Sequence, residues 1–194
     1  MRPLRADARR NRDRVLEAAA QALTTEGLAV PTEDIARRAG VGIGTVFRHF
    51  PTKEALVEAV LAQRIEQLAR DARALAAAGD PGQAFFSFFS EMVSQAVVNR
   101  ALSESLGVSP GEVTEAFAGV KEDLMAAFGA LLTRAQAAGA VRPDVDVADV
   151  GSLVAGCLAM ERSAHGGEPG RMLAVVCDGL RQPAPSGGGR NRAP

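Results

Sequence analysis

From Thr45 to Lys53 the chain sets out a hydroxyl (Thr45), a guanidinium (Arg48), an imidazole (His49) and an ammonium (Lys53), preceded by Gly42 and Gly44. Each side chain donates hydrogen bonds, and at helical spacing they suit phosphate oxygens and base edges better than bond-breaking chemistry. Arg48 has two readings. A guanidinium bonds a guanine edge in bidentate fashion, and it also pairs with phosphate. Catalysis is excluded on residue types. His49 and His165 are the two histidines. No Ser-His-Asp set, nucleophile motif or phosphate-binding glycine loop occurs. Glu161 and His165 are four apart, not three as in the Glu-x-x-His pairs of di-iron bundles. No catalytic residue, metal ligand or cofactor is expected.

The elements that must hold these donors are short helices. Thr32 follows Pro31 at a position suited to an N-cap, with Glu33 and Asp34 in the first turn. Ile35, Ala36 and Ala39 repeat at helical spacing, and Gly40 follows where a helix end needs a left-handed residue. In the next segment, Ile43 to Phe50, Val46 and Phe50 face inward and Thr45, Arg48 and His49 face out. Pro51-Thr52-Lys53 then opens a longer helix with Thr52 as its N-cap. Two short helices joined by a glycine-containing turn make a helix-turn-helix, whose second helix enters the major groove of DNA.

The segment IARRAGVGIGTVFRHFPTKEALVEAV resembles the DNA-binding signature of the tetracycline-repressor (TetR) family of bacterial transcriptional regulators, over about fifty residues from Arg9 to Val60. Taken residue by residue, the resemblance implies a phosphate-facing hydroxyl at Thr45, an imidazole donor at His49, an ammonium at Lys53 and close backbone approach at Gly44. Thr32, Gly42, Ile43, Phe47 and Arg48 complete the implied DNA-binding set. Two positions depart from the family pattern. Phe47 stands where Tyr is usual, removing a hydroxyl, and is left to a thymine methyl, a sugar edge or the core. Gly42 stands where Ser or Thr is usual, giving up a side-chain cap.

Composition agrees with an all-α chain. It has 194 residues, 47% of them hydrophobic, rich in Ala, Leu and Val. The net charge of −1 conceals a polarity. Residues 1–60 hold 10 Arg/Lys and 8 Asp/Glu. Residues 1–14 alone hold six Arg against Asp7 and Asp13, as phosphate binding requires. A solvated charged tail would also have this composition. No apolar run reaches the roughly 18 to 20 residues of a membrane span, and MRPLRADARRNRDR lacks a signal peptide's apolar stretch. The expected location is cytoplasmic. Cys157 and Cys177 have neither disulfide-framework nor metal-ligand spacing.

About nine helices are expected: Asp7–Glu26, the helix-turn-helix pair, Thr52 to about Ala78, Gln83–Asn99, Ala101–Leu106, Pro110 to about Ala138, Val147–Ala164 and Glu168–Arg181. Ser109-Pro110-Gly111-Glu112 reads as a capping box. Asp146 reads as an N-cap and Gly139 as a stop. Residues 1–51 form the expected DNA-binding domain. Residues 52–182 form a ligand-binding and dimerisation domain, with 52–78 as its linking helix, and residues 183–194 a disordered tail. Phe85, Phe88, Phe89, Met92, Met125, Phe128 and Met160 are either core or the wall of a pocket. The resemblance implies a small, mainly apolar effector there, oriented by Gln95 and Asn99. Leu153, Val154, Cys157, Leu158, Leu173, Val176 and Leu180 form apolar stripes that complete the core or pair with a second copy. Family likeness favours a homodimer on a pseudo-palindromic duplex. A regulator without a small ligand, whether an activator or a thiol-based redox sensor, is the alternative.

Overall fold

In a computed structural model the chain is described over residues 3–77, 79–105, 118–163 and 170–183. These residues are helical almost throughout. The helices are α1 (Pro3–Glu26), a 3-10 turn (Gly27–Ala29), α2 (Thr32–Ala39), α3 (Ile43–His49), α4 (Lys53–Ala77), α5 (Pro81–Ser105), α6 (Ala118–Ala137), α7 (Val147–Ser163) and α8 (Arg171–Leu180). Among the described residues the extended backbone that pairs is a single bridge, Val141 with Arg181. Among the described residues no helix is long and apolar enough to cross a membrane. The capping box at 109–112 and the tail from residue 184 lie outside the described residues.

Two compact units are distinguished, Met1–Arg70 with Ser94–Leu124, and Asp71–Val93 with Met125–Pro194. The first has a core of small and branched side chains. Val15, Ala19, Ala22 and Leu23 form the buried face expected of α1, joined by Ile35, Ala36 and Ala39 of α2, Val46 and Phe50, and Leu56, Val57 and Val60 of α4. Leu102 of α5 closes the same core. In the second unit Phe85, Phe88, Phe89 and Phe128 are buried together with Leu131 and Val141.

Helix ends follow local chemistry. Asp80 Oδ1 accepts the Gln83 N–H at 2.7 Å, so Pro81 and Gly82 are the first turn of α5 rather than part of the break before it. Gly82 is required for packing, because a Cβ there would lie 2.7 Å from Ala140 Cβ. The expected break at residue 100 is absent: α5 runs unbroken to Ser105. Arg100 pairs with Glu104 at 2.7 Å across one turn, and nothing there forbids helical backbone. Asp146 caps α7, accepting the Ala148 and Asp149 N–H groups at 2.8 Å. Asp149 Oδ2 accepts the Asp146 N–H at 3.0 Å, a reciprocal box with Asp in the Glu position. α8 is described from Arg171, behind Gly170, whose φ of 79° suits glycine; the expected start at Glu168 lies outside the described residues.

Candidate nucleic-acid interface

The turn between α2 and α3 is set by backbone chemistry. Gly40 has φ 66°. The Val41 N–H bonds the Ala36 carbonyl at 3.0 Å and the Gly40 N–H the Arg37 carbonyl at 3.2 Å, a Schellman arrangement that an L side chain at residue 40 would strain. The start of α2 departs from expectation. Pro31, extended at φ −67° and ψ 146°, is the cap residue, and Thr32 is already helical, with no side-chain cap bond. The Pro31 carbonyl itself takes the Asp34 N–H at 3.1 Å and the Ile35 N–H at 3.3 Å.

Gly42 begins α3 in extended conformation without a side-chain bond, as its lack of a hydroxyl implies. Val46 and Phe50 are sealed at 1% and 3% exposure. The remaining residues of α3 look outward. Ile43 and Phe47 are exposed at 36% and 47%, unusual for large apolar side chains. Gly44 and Arg48 are exposed, while Thr45 and His49 are half-buried. Exposure removes the core option for Phe47. A Cβ at Gly42 or Gly44 would touch nothing within 4 Å, so no internal packing demands glycine at either position.

The surrounding charges are largely paired. Arg37 bridges Asp34 at 2.7 Å and Arg38 bridges Glu26 at 2.6 Å. The guanidinium hydrogen bond from Arg38 holds the Glu26 carboxyl below its ordinary value, and Glu26 holds Arg38 above its own. Among the described residues no carboxylate pairs with Arg48. Two arginines of α1 flank this surface: the Arg12 guanidinium lies 5.3 Å from the centre of the Phe50 ring, and Arg14 reaches beside Gly40. The sequence marks the Arg-rich first fourteen residues, but only folding shows which of them reach the ends of α2 and α3.

Lys53 holds a position that residue type alone does not indicate. Its Nζ donates to the Leu28 carbonyl and, at 2.7 Å, to the Val30 carbonyl, tying the first residue of α4 to the 3-10 turn. Thr52 caps α4 as expected, accepting the Ala55 N–H at 3.1 Å.

The expected effector residues divide between the two units. Phe85, Phe88, Phe89, Met92, Met125, Phe128 and Met160 belong to one, and Gln95 and Asn99 to the other. The four phenylalanines fill the space with each other. Phe85 stacks on Phe128 with centroids 5.5 Å apart and planes 8° apart, and Phe88 lies 5.4 Å from Phe128. Met92 is buried, while Met125 and Met160 are half-buried. An open groove of about 530 Å³ occurs elsewhere in that unit, beside Asp80, Gln83, Phe86 and Arg181, where the Arg181 guanidinium sits 4.4 Å over the Phe86 ring. None of the expected effector residues lines it. Asn99 faces Arg64, its Oδ1 3.5 Å from Nη1.

The stripes of α7 and α8 also divide. Cys157 and Leu180 are sealed within the chain at 1% and 3% exposure. Leu153, Val154, Leu158, Leu173 and Val176 are half-exposed, and Val175 is open at 58%. Cys177 is half-buried, and burial raises its thiol pKa.

A family model described as bacterial regulatory proteins of the tetR family matches residues 15–60, and one for the C-terminal domain of SbtR-like transcriptional regulators matches residues 80–182. Among solved structures, a TetR transcription regulatory protein from Mycobacterium vanbaalenii is 43% identical, with 92% of this chain and 99% of that one covered and a TM-score of 0.71. Two curated relatives share shorter stretches. The uncharacterized HTH-type transcriptional regulator YvkB of Bacillus subtilis is 47% identical over 51 residues, covering 26% of this chain and 27% of YvkB. The uncharacterized HTH-type regulator TtgW of Pseudomonas putida is 40% identical over 67 residues, covering 34% of this chain and 50% of TtgW. The chain thus spans from about a quarter to half the length of these curated relatives.

Proposed function

The chain belongs to the TetR family of bacterial transcriptional regulators, and we propose that it acts as a homodimeric repressor released from a pseudo-palindromic operator by a small, mainly apolar effector. The observation that supports the DNA-facing part is the division of α3, in which Val46 is sealed while Ile43, Gly44, Phe47 and Arg48 are exposed. An exposed Phe beside an Arg that pairs with no carboxylate among the described residues is a poor surface for water. It suits a groove floor, where Phe47 packs on a thymine methyl and Arg48 bonds a guanine edge. Bare backbone at Gly42 and Gly44 leaves room for phosphate. Thr45 and His49 add further donors, and Arg12 and Arg14 extend the positive surface along the duplex. Lys53 keeps a third N–H for phosphate beyond its two carbonyl partners. Thr32, in the first turn of α2, supplies a further hydroxyl.

One such head makes few contacts, so two are needed, with half-sites about 34–36 Å apart. Leu153, Val154, Leu158, Leu173 and Val176, with Val175, form the face offered to the second copy. Cys157 and Leu180 support that face from within. The effector's place is the Phe85, Phe88, Phe89 and Phe128 cluster with Met92, Met125 and Met160, whose rings part to admit it. A thiol-sensing alternative has less support, because Cys157 is buried and burial disfavours the Cys177 thiolate.

Selection of duplexes from random sequence tests the DNA-facing part. Wild type is expected to enrich a two-fold-related site. Arg48→Ala is expected to relax preference at one base position per half-site, by roughly 1–3 kcal/mol. An unchanged consensus with Arg48→Ala removes its reading role, and failure to enrich any duplex overturns the interface.

A further inference from the structure

Arg64 lies in the middle of α4, half-buried, and its guanidinium serves helices on both sides of it in sequence. Nη2 donates to the Ala20 carbonyl at 3.1 Å and to Thr24 Oγ1 at 2.5 Å, in the last turns of α1. Nη1 reaches Asn99 Oδ1 of α5 at 3.5 Å. The acceptors are held in turn. Thr24 Oγ1 donates to the Ala20 carbonyl at 2.7 Å, while the Asn99 backbone carbonyl, not its amide oxygen, accepts Ser103 Oγ at 3.0 Å. One side chain therefore ties α1, α4 and α5 together, through residues that all lie within the first compact unit.

The bridge is poorly suited to stability alone. All its acceptors are neutral, and among the described residues no carboxylate pairs with the guanidinium. A half-buried cation without a counter-charge carries a desolvation cost, and an apolar side chain of similar length in such a place is often neutral or stabilising. What arginine adds is a rigid fork long enough to grip two helices at once. One of them is α1, against whose Val15, Ala19, Ala22 and Leu23 the helix-turn-helix packs through Ile35, Val46 and Phe50. The other is α5, whose Leu102, about one turn beyond Asn99, belongs to that same core.

We propose that Arg64 is a positioning residue that aligns the DNA-binding helices with α5, and that Asn99 is the far end of this bridge. The proposal rests on the DNA-binding reading above and adds a control point to it. The sequence suggests an effector-orienting role for Asn99, but its amide oxygen is turned to the guanidinium that holds α1. Withdrawal of that amide leaves Arg64 holding α1 to α4 only. The tie to α5 is then broken, and any event that turns the Asn99 face of α5 is transmitted to the head.

The test is a double-mutant cycle on the full chain, read with a duplex that wild type has selected from random sequence. Arg64→Met keeps the apolar stem and removes the donors, while Asn99→Ala removes only the acceptor. Arg64→Met is expected to weaken that duplex about tenfold, within the usual range for coupling between sites, with the melting temperature nearly unchanged. Asn99→Ala is expected to weaken it by a smaller factor, and the double mutant to be no weaker than Arg64→Met. Unchanged affinity with Arg64→Met, or factors that simply multiply in the double mutant, overturns the proposal. Should Arg64→Met fail to fold, Thr24→Ala and Asn99→Ala carry the test, and wild-type affinity in both overturns it. Failure of wild type to select any duplex marks failure of the DNA-binding reading, as distinct from the role of Arg64.

Discussion

The head and the phenylalanine-rich unit place their large rings differently. The head seals Val, Ala, Leu and Ile with Phe50 behind α3 and leaves Phe47 outside; the second unit seals Phe85, Phe88, Phe89 and Phe128 against one another, with buried aliphatics such as Leu131 and Val141, and leaves other Val and Leu of α7 and α8 half-exposed. A large ring in water, next to a guanidinium that pairs with no carboxylate among the described residues, marks a surface shaped for a partner. Large rings stacked on each other mark packing first, and a binding role for them requires that the packing yield. The head is thus a ready-made surface. The proposed effector site is one that must open.

The largest expected effect sharpens this contrast. Phe128→Ala removes a fully buried ring that stacks on Phe85 and lies tilted against Phe88. It is expected to cost about 3–5 kcal/mol in denaturant unfolding. A cost below about 1 kcal/mol would show that the rings are not close-packed and that a cavity is already present. Lys53→Met comes next. Removing two hydrogen bonds from a charged donor to the Leu28 and Val30 carbonyls is expected to cost about 1.5–3 kcal/mol. Duplex binding should weaken for all sequences alike, with a smaller salt slope. A loss of stability with an unaltered salt slope would make Lys53 a brace only. Phe47→Ala, on the exposed side of α3, is expected to change stability by no more than about 0.5 kcal/mol. It should weaken the selected duplex several-fold in an anisotropy titration. The reverse pattern, large destabilisation with full affinity, would place Phe47 among the core residues.

The smallest effect concerns pH. Arg38 lowers the folded-state pKa of Glu26. The stabilisation from that pair is therefore complete above the ordinary carboxylate range and lost as pH falls through the depressed folded value. Thermal melts of wild type and Glu26→Gln should differ slightly at neutral pH and converge in acid. A difference that persists in acid would assign the effect to something other than this pair.

Much of the head was legible because its determinants are local. Gly40 marks the left-handed turn, and the alternation of Val46 and Phe50 with Thr45, Arg48 and His49 fixes which side of α3 faces out. Thr32 misled because Pro31, extended before the helix, already takes the cap position. The ammonium of Lys53 could not be placed from sequence, since its carbonyl partners lie more than twenty positions earlier and meet it only after folding. The same holds for Arg64 with Ala20, Thr24 and Asn99. In the second unit a rule of periodicity identifies apolar faces but not their neighbours. It therefore could not separate Cys157 and Leu180, sealed within the chain, from Leu153 and Val176, which remain half-exposed. Nor could it say whether the phenylalanines enclose space or fill it.

Hydroxyl-radical footprinting of the full chain, with and without the selected duplex, reads the orientation of α3 in one experiment. Oxidation of Phe47, exposed at 47% in the free chain, is expected to fall sharply on adding the duplex, while oxidation of Val175 on α8 stays constant. Undiminished oxidation of Phe47 in the bound state, or protection confined to α7 and α8, would contradict the placement of DNA against α3.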